Sequence, residues 1–284
     1  MAVRKIKRIS TSVPTLEGAG VHLHRAFGNN EARLFDPFLL LDDFRAETPA
    51  DYLQGFPWHP HRGIETITYV LKGDVEHGDS LGNKGNINGG DVQWMTAGSG
   101  IIHQEMPKGD PDGKMEGFQL WANLPAAHKM MHPRYRDIRA AQIPTLTLDN
   151  GVQIRVICGQ VGEVCGPVSD VMIEPEYLDL SLPPGCTFIH HTPVHHTVFA
   201  YVYAGCACFE PETETLLGNR SLVLFEAGEQ LSISTTVEAA RFLLIAGKPL
   251  KEPIAWGGPI VMNTQEELQL AFREFQDGTF IKHG

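Results

Sequence analysis

From Val21 to Val261 the chain reads as short strand-forming runs separated by turn signals, among them Thr66 to Lys72, Val92 to Met95, Val198 to Tyr203 and Ser221 to Phe225. No long helical periodicity interrupts them, and 29 glycines and 19 prolines supply the turns that such a chain needs. The fold class expected is therefore all-β. One helix is expected near the C-terminus, Gln265 to Phe275, where Thr264 and Glu267 form a capping box and Leu268, Phe272 and Phe275 fall on one face.

At 284 residues the chain has about twice the length of a common domain, which favours two cores. An internal repeat supports the same division. HPHRGIETITYVLKG (59 to 73) and HTPVHHTVFAYVYAG (191 to 205) share a histidine-bearing strand, a tyrosine, an apolar pair and a closing glycine. With Gly73 aligned to Gly205, a glycine-centred turn follows in each half, at Gly89-Gly90-Asp91 and Ala227-Gly228-Glu229. Each half then makes one small β-barrel, with the boundary placed in the turn-like stretch Leu146 to Gly151: residues 1–147 and residues 148–284, the helix 265–275 belonging to the second.

The net charge of -11 opposes direct nucleic-acid binding, because that affinity comes from clustered Lys and Arg neutralising phosphates. No apolar run is long enough to span a bilayer, and the basic N-terminal MAVRKIKRIS leads into polar sequence rather than a signal-peptide core, so a cytoplasmic location away from membranes is expected. Five cysteines without a CxxC pair are expected as reduced, mostly buried thiols.

The chemistry sits in two pairs. In Trp58-His59-Pro60-His61-Arg62-Gly63 the imidazoles are two residues apart, so on an extended strand they project from one face. The pair His103-Gln104-Glu105 has the same spacing and follows the glycine-containing turn Thr96 to Gly100. Three imidazoles and a carboxylate from two strands make a pocket for a divalent metal. The absence of cysteine from the set argues against a thiolate zinc or iron-sulfur site, and imidazole leaves Fe, Ni, Cu and Zn open. Four ligands on an octahedral ion leave two positions for O₂ and a chelating substrate. Glu65, four after His61, is expected either to orient an imidazole or to pair with Arg62 or another base. His22 and His24 lack a following glycine turn and read as an ordinary strand face. His190, His191, His195 and His196 are histidine-rich, but the repeat puts Pro193 on His61 and Thr197 on Glu65 and leaves no histidine after Gly228, so no second metal is expected.

These residues resemble the cupin superfamily. Its first motif is matched by Gly55, His59, His61, Glu65 and Gly73, and its second by Gly90, Gly98 and His103, with Thr96 where the motif has proline. Within cupins, GDVQWMTAGSGIIHQEMP, WHPHRGIET and EGFQLWANLP resemble the pirin family, and the resemblance runs from Phe35-Asp36-Pro37-Phe38 to Met262-Asn263-Thr264. It implies two cupin, jelly-roll-like barrels in one monomeric chain. It also implies one mononuclear metal on His59, His61, His103 and Glu105, iron(II) first with Ni, Cu, Zn or Mn as alternatives, and a metal-free C-terminal barrel. Pirins are described as quercetin (flavonol) 2,3-dioxygenases and as regulatory proteins acting on a transcription factor or metabolic enzyme. The resemblance thus implies either a dioxygenase taking a flavonol and O₂, with Glu105 also as catalytic base, or an iron-dependent binding protein with a protein partner. Phe56, Trp58, Trp94 and Met106 are expected to line the substrate pocket or to be core.

Overall fold

The computed structural model describes residues 2–210, 212–213 and 215–283. The chain opens with β1 (Ile6–Thr11). Its first half continues with β2 (Val13–Glu17), β3 (Val21–Phe27), β4 (Phe38–Asp43), β5 (Phe56–His61), β6 (Ile64–Lys72), β7 (Val75–Asp79), β8 (Lys84–Ile87), β9 (Val92–Thr96), β10 (Ile101–Pro107), β11 (Glu116–Asn123) and β12 (Arg134–Ile138). The second half holds β13 (Thr145–Thr147), β14 (Gln153–Cys158), a hairpin of β15 (Gln160–Val161) and β16 (Val164–Cys165), then β17 (Glu176–Leu182), β18 (Thr187–His191), β19 (Thr197–Cys208), β20 (Leu216–Gly218), β21 (Ser221–Phe225), β22 (Gln230–Ser234) and β23 (Ala240–Gly247). A last hairpin, β24 (Ala255–Gly257) with β25 (Ile260–Met262), leads into α1 (Gln265–Gln276).

The chain divides into two compact units, and both are β-barrels. The first comprises Val13–Ala140 and the residues from Leu250 onward; the second comprises the residues up to Ser12 and Ala141–Pro249. In the first, a seven-stranded sheet runs β12-β9-β6-β11-β4-β3-β2 and a four-stranded sheet runs β5-β10-β7-β8. The main sheet of the second runs β1-β21-β19-β23-β17-β14-β13, with β18 paired to β22 as β5 is paired to β10. The two orders correspond strand for strand, which is the repeat seen in the sequence expressed as topology.

The edge position beside β9 is filled by β12, but its counterpart beside β21 is filled by β1 from the opposite end of the chain. A division at 147 does not describe this arrangement. The first twelve residues join the second barrel, and α1, expected with the second barrel, belongs to the first. The reason is that sequence pattern establishes a strand's existence and its buried face, whereas partner choice is made by packing.

The interior of the second barrel is filled by apolar side chains, including Val156, Leu180, Phe209, Val223, Phe242 and Leu244. In the first barrel the interior is mixed. Strand β10 alternates cleanly, with His103 and Glu105 buried and Ile102, Gln104 and Met106 half-exposed. No helix among the described residues is long and apolar enough to cross a membrane.

The C-terminal segment closes the first barrel around the strand that carries the His-x-His pair. Buried Arg62 donates to Glu274 at 2.7 Å and to the Phe280 carbonyl at 2.8 Å, its guanidinium lying 4.2 Å from the centre of the Phe280 ring. Buried Lys129, its pKa lowered to about 7 by desolvation, donates to the carbonyls of Gly63 and Val261 and to Asn123. Gly63 has φ +77, and a Cβ there would meet the Val261 carbonyl oxygen at 2.0 Å, so glycine is required for this approach. Helix α1 keeps the expected capping box, but its buried face is Leu268 and Ala271; Phe272 and Phe275 each stay more than a third exposed.

Glu274→Ala leaves the buried Arg62 guanidinium without its carboxylate. It is expected to lower stability by about 2 kcal/mol, read as a reduced urea midpoint at unchanged m-value. An unchanged midpoint would show that this ion pair does not hold the segment.

Candidate metal centre

Strands β5 and β10 pair antiparallel with His103 opposite His59 and Ile101 opposite His61. Residues directly opposite share a face, as do residues two apart, so all three imidazoles project to one side. His59 Nε2 lies 3.1 Å from His61 Nε2 and 2.9 Å from His103 Nε2. The ligand atoms of the three lie within 4.8 Å of one another, and no other trio of His, Cys, Asp or Glu does so among the described residues.

The partners behind two of these rings decide where their protons sit. His59 Nδ1 donates to the Pro57 carbonyl at 2.8 Å and His61 Nδ1 to the Pro259 carbonyl at 2.9 Å. Desolvation by burial lowers the pKa of each ring, that of His61 to about 3, so the rings are neutral at physiological pH. A neutral ring with its proton on Nδ1 presents a lone pair at Nε2. Between His59 and His61 two lone pairs therefore face each other, an arrangement that a cation relieves. The spacing fits as well. Metal–nitrogen bonds of about 2.1 Å give an octahedral N–N edge of about 3.0 Å and a tetrahedral one of about 3.4 Å. The donor set and its geometry thus fit a divalent metal.

Glu105 is brought to the same wall but not into the trio. The register slips by one residue between His103 and Glu105, placing Glu105 opposite Phe56. Its buried carboxyl accepts from the Thr68 hydroxyl at 2.8 Å; desolvation raises its pKa to about 7 against that bond. Thr68 Oγ1 is also 2.7 Å from the Gln119 side-chain oxygen position. One hydroxyl proton serves one acceptor, so a Gln119 amide turned to donate its N–H completes a chain from Gln119 through Thr68 to Glu105. Opposite Glu105 on β7, His77 is buried with neither ring nitrogen hydrogen-bonded and stacks on Tyr135 with centroids 4.5 Å apart.

His59, His61 and Glu105 open into a cavity of about 590 Å³, within the size range of small-molecule sites. Its apolar walls include Leu23, Leu40, Phe44, Phe56 and Trp121. Of the aromatic and sulfur side chains expected there, Phe56 alone lines it. Trp58 is 53% exposed, Trp94 is core, and Met106 packs on Gly55. Trp121, whose ring meets His61 edge-on at 5.0 Å, takes the wall position.

Glu65 does not reach an imidazole, because the strand breaks at Arg62-Gly63 and reverses its parity. It accepts from Thr96 at 2.5 Å and lies 3.8 Å from Arg134, a base other than Arg62. The threonine that replaces the proline of the second motif is thus the hydroxyl partner of this buried acid. His22 is exposed beside Asp51. In the second barrel His190 bonds Glu176 at 2.7 Å and His191 is exposed. Thr68, Gln119, Trp121 and His77 are the site residues that sequence reasoning missed. Their only signal is a position on a strand face, legible once the cross-strand register is known.

Comparison with known proteins gives two family matches, Pirin over residues 20–122 and the Pirin C-terminal cupin domain over residues 177–281. The chain belongs to the pirin family. This pirin is 46% identical over 281 residues to a Pseudomonas aeruginosa protein provisionally named quercetin 2,3-dioxygenase, covering 97% of each chain. It is similar to the crystal structure of a quercetin 2,3-dioxygenase from Acinetobacter baumannii, with a TM-score of 0.89 and 33% identity over 98% of this chain and 99% of that one. A bacterial pirin from Escherichia coli in complex with nickel(II) shares the fold, with a TM-score of 0.64 and 22% identity over 85% of this chain and 99% of that one. Two cupin barrels and a histidine cluster able to hold a metal are therefore features of this pirin.

The Glu105 carboxyl leads to a signed prediction for the metal-free protein. With a pKa of about 7 when folded against 4.5 as the ordinary value, the folded chain keeps a proton that the unfolded chain gives up between those values. Stability is complete below about 4.5 and falls as pH rises through 7. Glu105→Gln removes this loss, so under chelator the variant is expected to be more stable than the unsubstituted chain near pH 8 by about 2–3 kcal/mol, the gap closing by pH 4.5. Equal melting temperatures near pH 8 would show that the carboxyl titrates as an exposed one.

Proposed function

We propose that this pirin is a metal-dependent dioxygenase that opens the ring of a flavonol such as quercetin with O₂, the metal held by His59, His61, His103 and Glu105 and iron(II) the first candidate. One observation carries the reading: three neutral imidazoles converge beside a cavity with largely apolar walls, two of them with their Nε2 lone pairs fixed toward the centre, next to a buried carboxyl. The dioxygenase names of its relatives support the same direction. A bound divalent metal supplies Lewis acidity and open positions for a chelating oxygen pair and O₂.

The chain's own residues supply the rest. The carbonyls of Pro57 and Pro259 hold the Nδ1 protons, fixing which nitrogen faces the centre. Glu105, buried beside the three histidines, accepts the proton of the flavonol hydroxyl whether it stays a ligand or swings free. Phe56, Leu40 and Trp121 present flat or apolar surface to the rings and keep water from the reacting face.

The deciding experiment is anaerobic iron loading followed by oxygen uptake with quercetin, for the unsubstituted chain and for His61→Ala, His103→Ala and Glu105→Ala. Uptake with carbon monoxide release is expected for the first. Iron content is expected to fall to background in the two histidine variants with unchanged circular dichroism, and uptake is expected to vanish in all three. Stoichiometric iron without uptake would instead assign this pirin to metal-dependent regulatory binding of a protein partner, and full iron in His61→Ala would refute the ligand set.

A second variant reads the Glu105 carboxyl in the metal-free protein. Thr68→Val removes the hydroxyl that favours the ionised form of Glu105, so its pKa moves further up. Under chelator the stability lost between pH 4.5 and pH 8 is therefore expected to be larger in Thr68→Val than in the unsubstituted chain by about 1 kcal/mol, read from melting temperatures at the two pH values. An equal loss in the two proteins would show that the Thr68 hydroxyl does not support the ionised form of Glu105.

A further inference from the structure

A polar row crosses the inner face of the seven-stranded sheet. The register places Arg25 opposite Asp42, Asp42 opposite Gln119, Gln119 opposite Thr68, and Thr68 opposite Gln93. The first four line the cavity. Apolar side chains border this row, Leu23 and Phe44 on one side and Leu40 and Trp121 on the other. Thr68 touches Glu105, so one end of the row is the catalytic end. From the strand of Thr68 to that of Arg25 there are three strand spacings, about 14 Å. That is the reach of a flat ligand of two or three rings.

At the far end Arg25 forms a fork with Asp42, with bonds of 2.8 and 2.7 Å, and reaches Glu17 at 2.8 Å. Exposure of the three side chains rises outward, 7% for Asp42, 25% for Arg25 and 40% for Glu17, so the cluster runs from the interior to the rim. Arg25 spends three of its five N–H groups on these bonds, and each Asp42 oxygen retains acceptor capacity. A donor and an acceptor are thus available side by side, which is what a hydroxyl group requires. One cation against two carboxylates leaves the cluster net negative, so it repels an anion. Gly28 fits the arrangement, since a Cβ there would press on the Arg25 side chain at 3.0 Å.

We propose that Arg25 and Asp42 are specificity-determining residues of the cavity. They bind a hydroxyl at the end of the ligand remote from His59, His61 and His103, Asp42 accepting its proton and Arg25 donating to its oxygen. The cavity thereby selects neutral polyhydroxylated planar ligands over those that lack a remote hydroxyl or carry a charge there. The inference rests on the flavonol reading of the site and adds to it which part of the ligand is read, and by what.

The test is equilibrium binding, not turnover. Quercetin and 3-hydroxyflavone, which keeps the metal-facing oxygen pair but has no other hydroxyl, are titrated anaerobically into iron-loaded protein, following tryptophan quenching. Quercetin is expected to bind the unsubstituted chain about tenfold tighter or more. Asp42→Asn and, separately, Arg25→Gln are expected to bring the ratio towards one by weakening quercetin and sparing 3-hydroxyflavone. A ratio near one in the unsubstituted chain, which involves no question of variant folding, overturns the proposal and leaves the dioxygenase reading intact, as does a ratio that both folded variants preserve. If neither compound binds, the flavonol reading itself falls and this inference with it.

Discussion

The geometry of the histidine cluster depends on a hydrogen bond between residues 198 positions apart, from His61 Nδ1 to the Pro259 carbonyl. Without it His61 has no fixed tautomer and its lone pair no fixed direction. The bond exists because the C-terminal segment returns to the first barrel, held by Arg62 on Glu274 and Phe280 and by Lys129 on Gly63 and Val261. Buried charges of this kind are costly, and the Arg62 Nε is buried without a hydrogen-bond partner. Here they are used where two backbone segments must approach within van der Waals contact, and Gly63 marks the point of closest approach.

The two barrels share a strand order and differ in what fills them. In the second, paired sheets enclose aliphatic and phenylalanine side chains, and the histidines of its repeat are at the surface or bonded to an acid. In the first, the corresponding faces carry His59, His61, His103 and Glu105 together with a polar row. A jelly-roll interior can therefore be a core or a cleft, and the choice is made by a few inward-facing positions. The desolvation that makes such positions costly also keeps the imidazoles neutral and raises the Glu105 pKa, which makes the cleft chemically usable.

Much of this was legible in the chain. The His-x-His spacing and its echo at His103 located the cluster because the period of a strand is two, and the repeat exposed two barrels of one design. What was not legible lies across strands or past a break. Glu65 was counted as sharing the face of His61, but the interruption at Arg62-Gly63 turned it to Thr96 and Arg134. Trp94 has the composition of a pocket wall and the parity of a core residue. Arg25 and Asp42 are 17 positions apart and look like scattered surface charges until the register sets them side by side. The exchange of terminal segments between barrels leaves no local trace, since β1 would be an acceptable edge strand for either.

That exchange also sets an order of assembly. The second barrel includes β1, which waits for β21 to be synthesised. The first barrel is made early, yet its closing segment begins at Leu250. A chain emerging from the ribosome therefore holds His59, His61 and His103 long before Pro259 can orient one of them. The fully oriented centre therefore requires the segment that carries Pro259 as well as the two strands that carry the histidines.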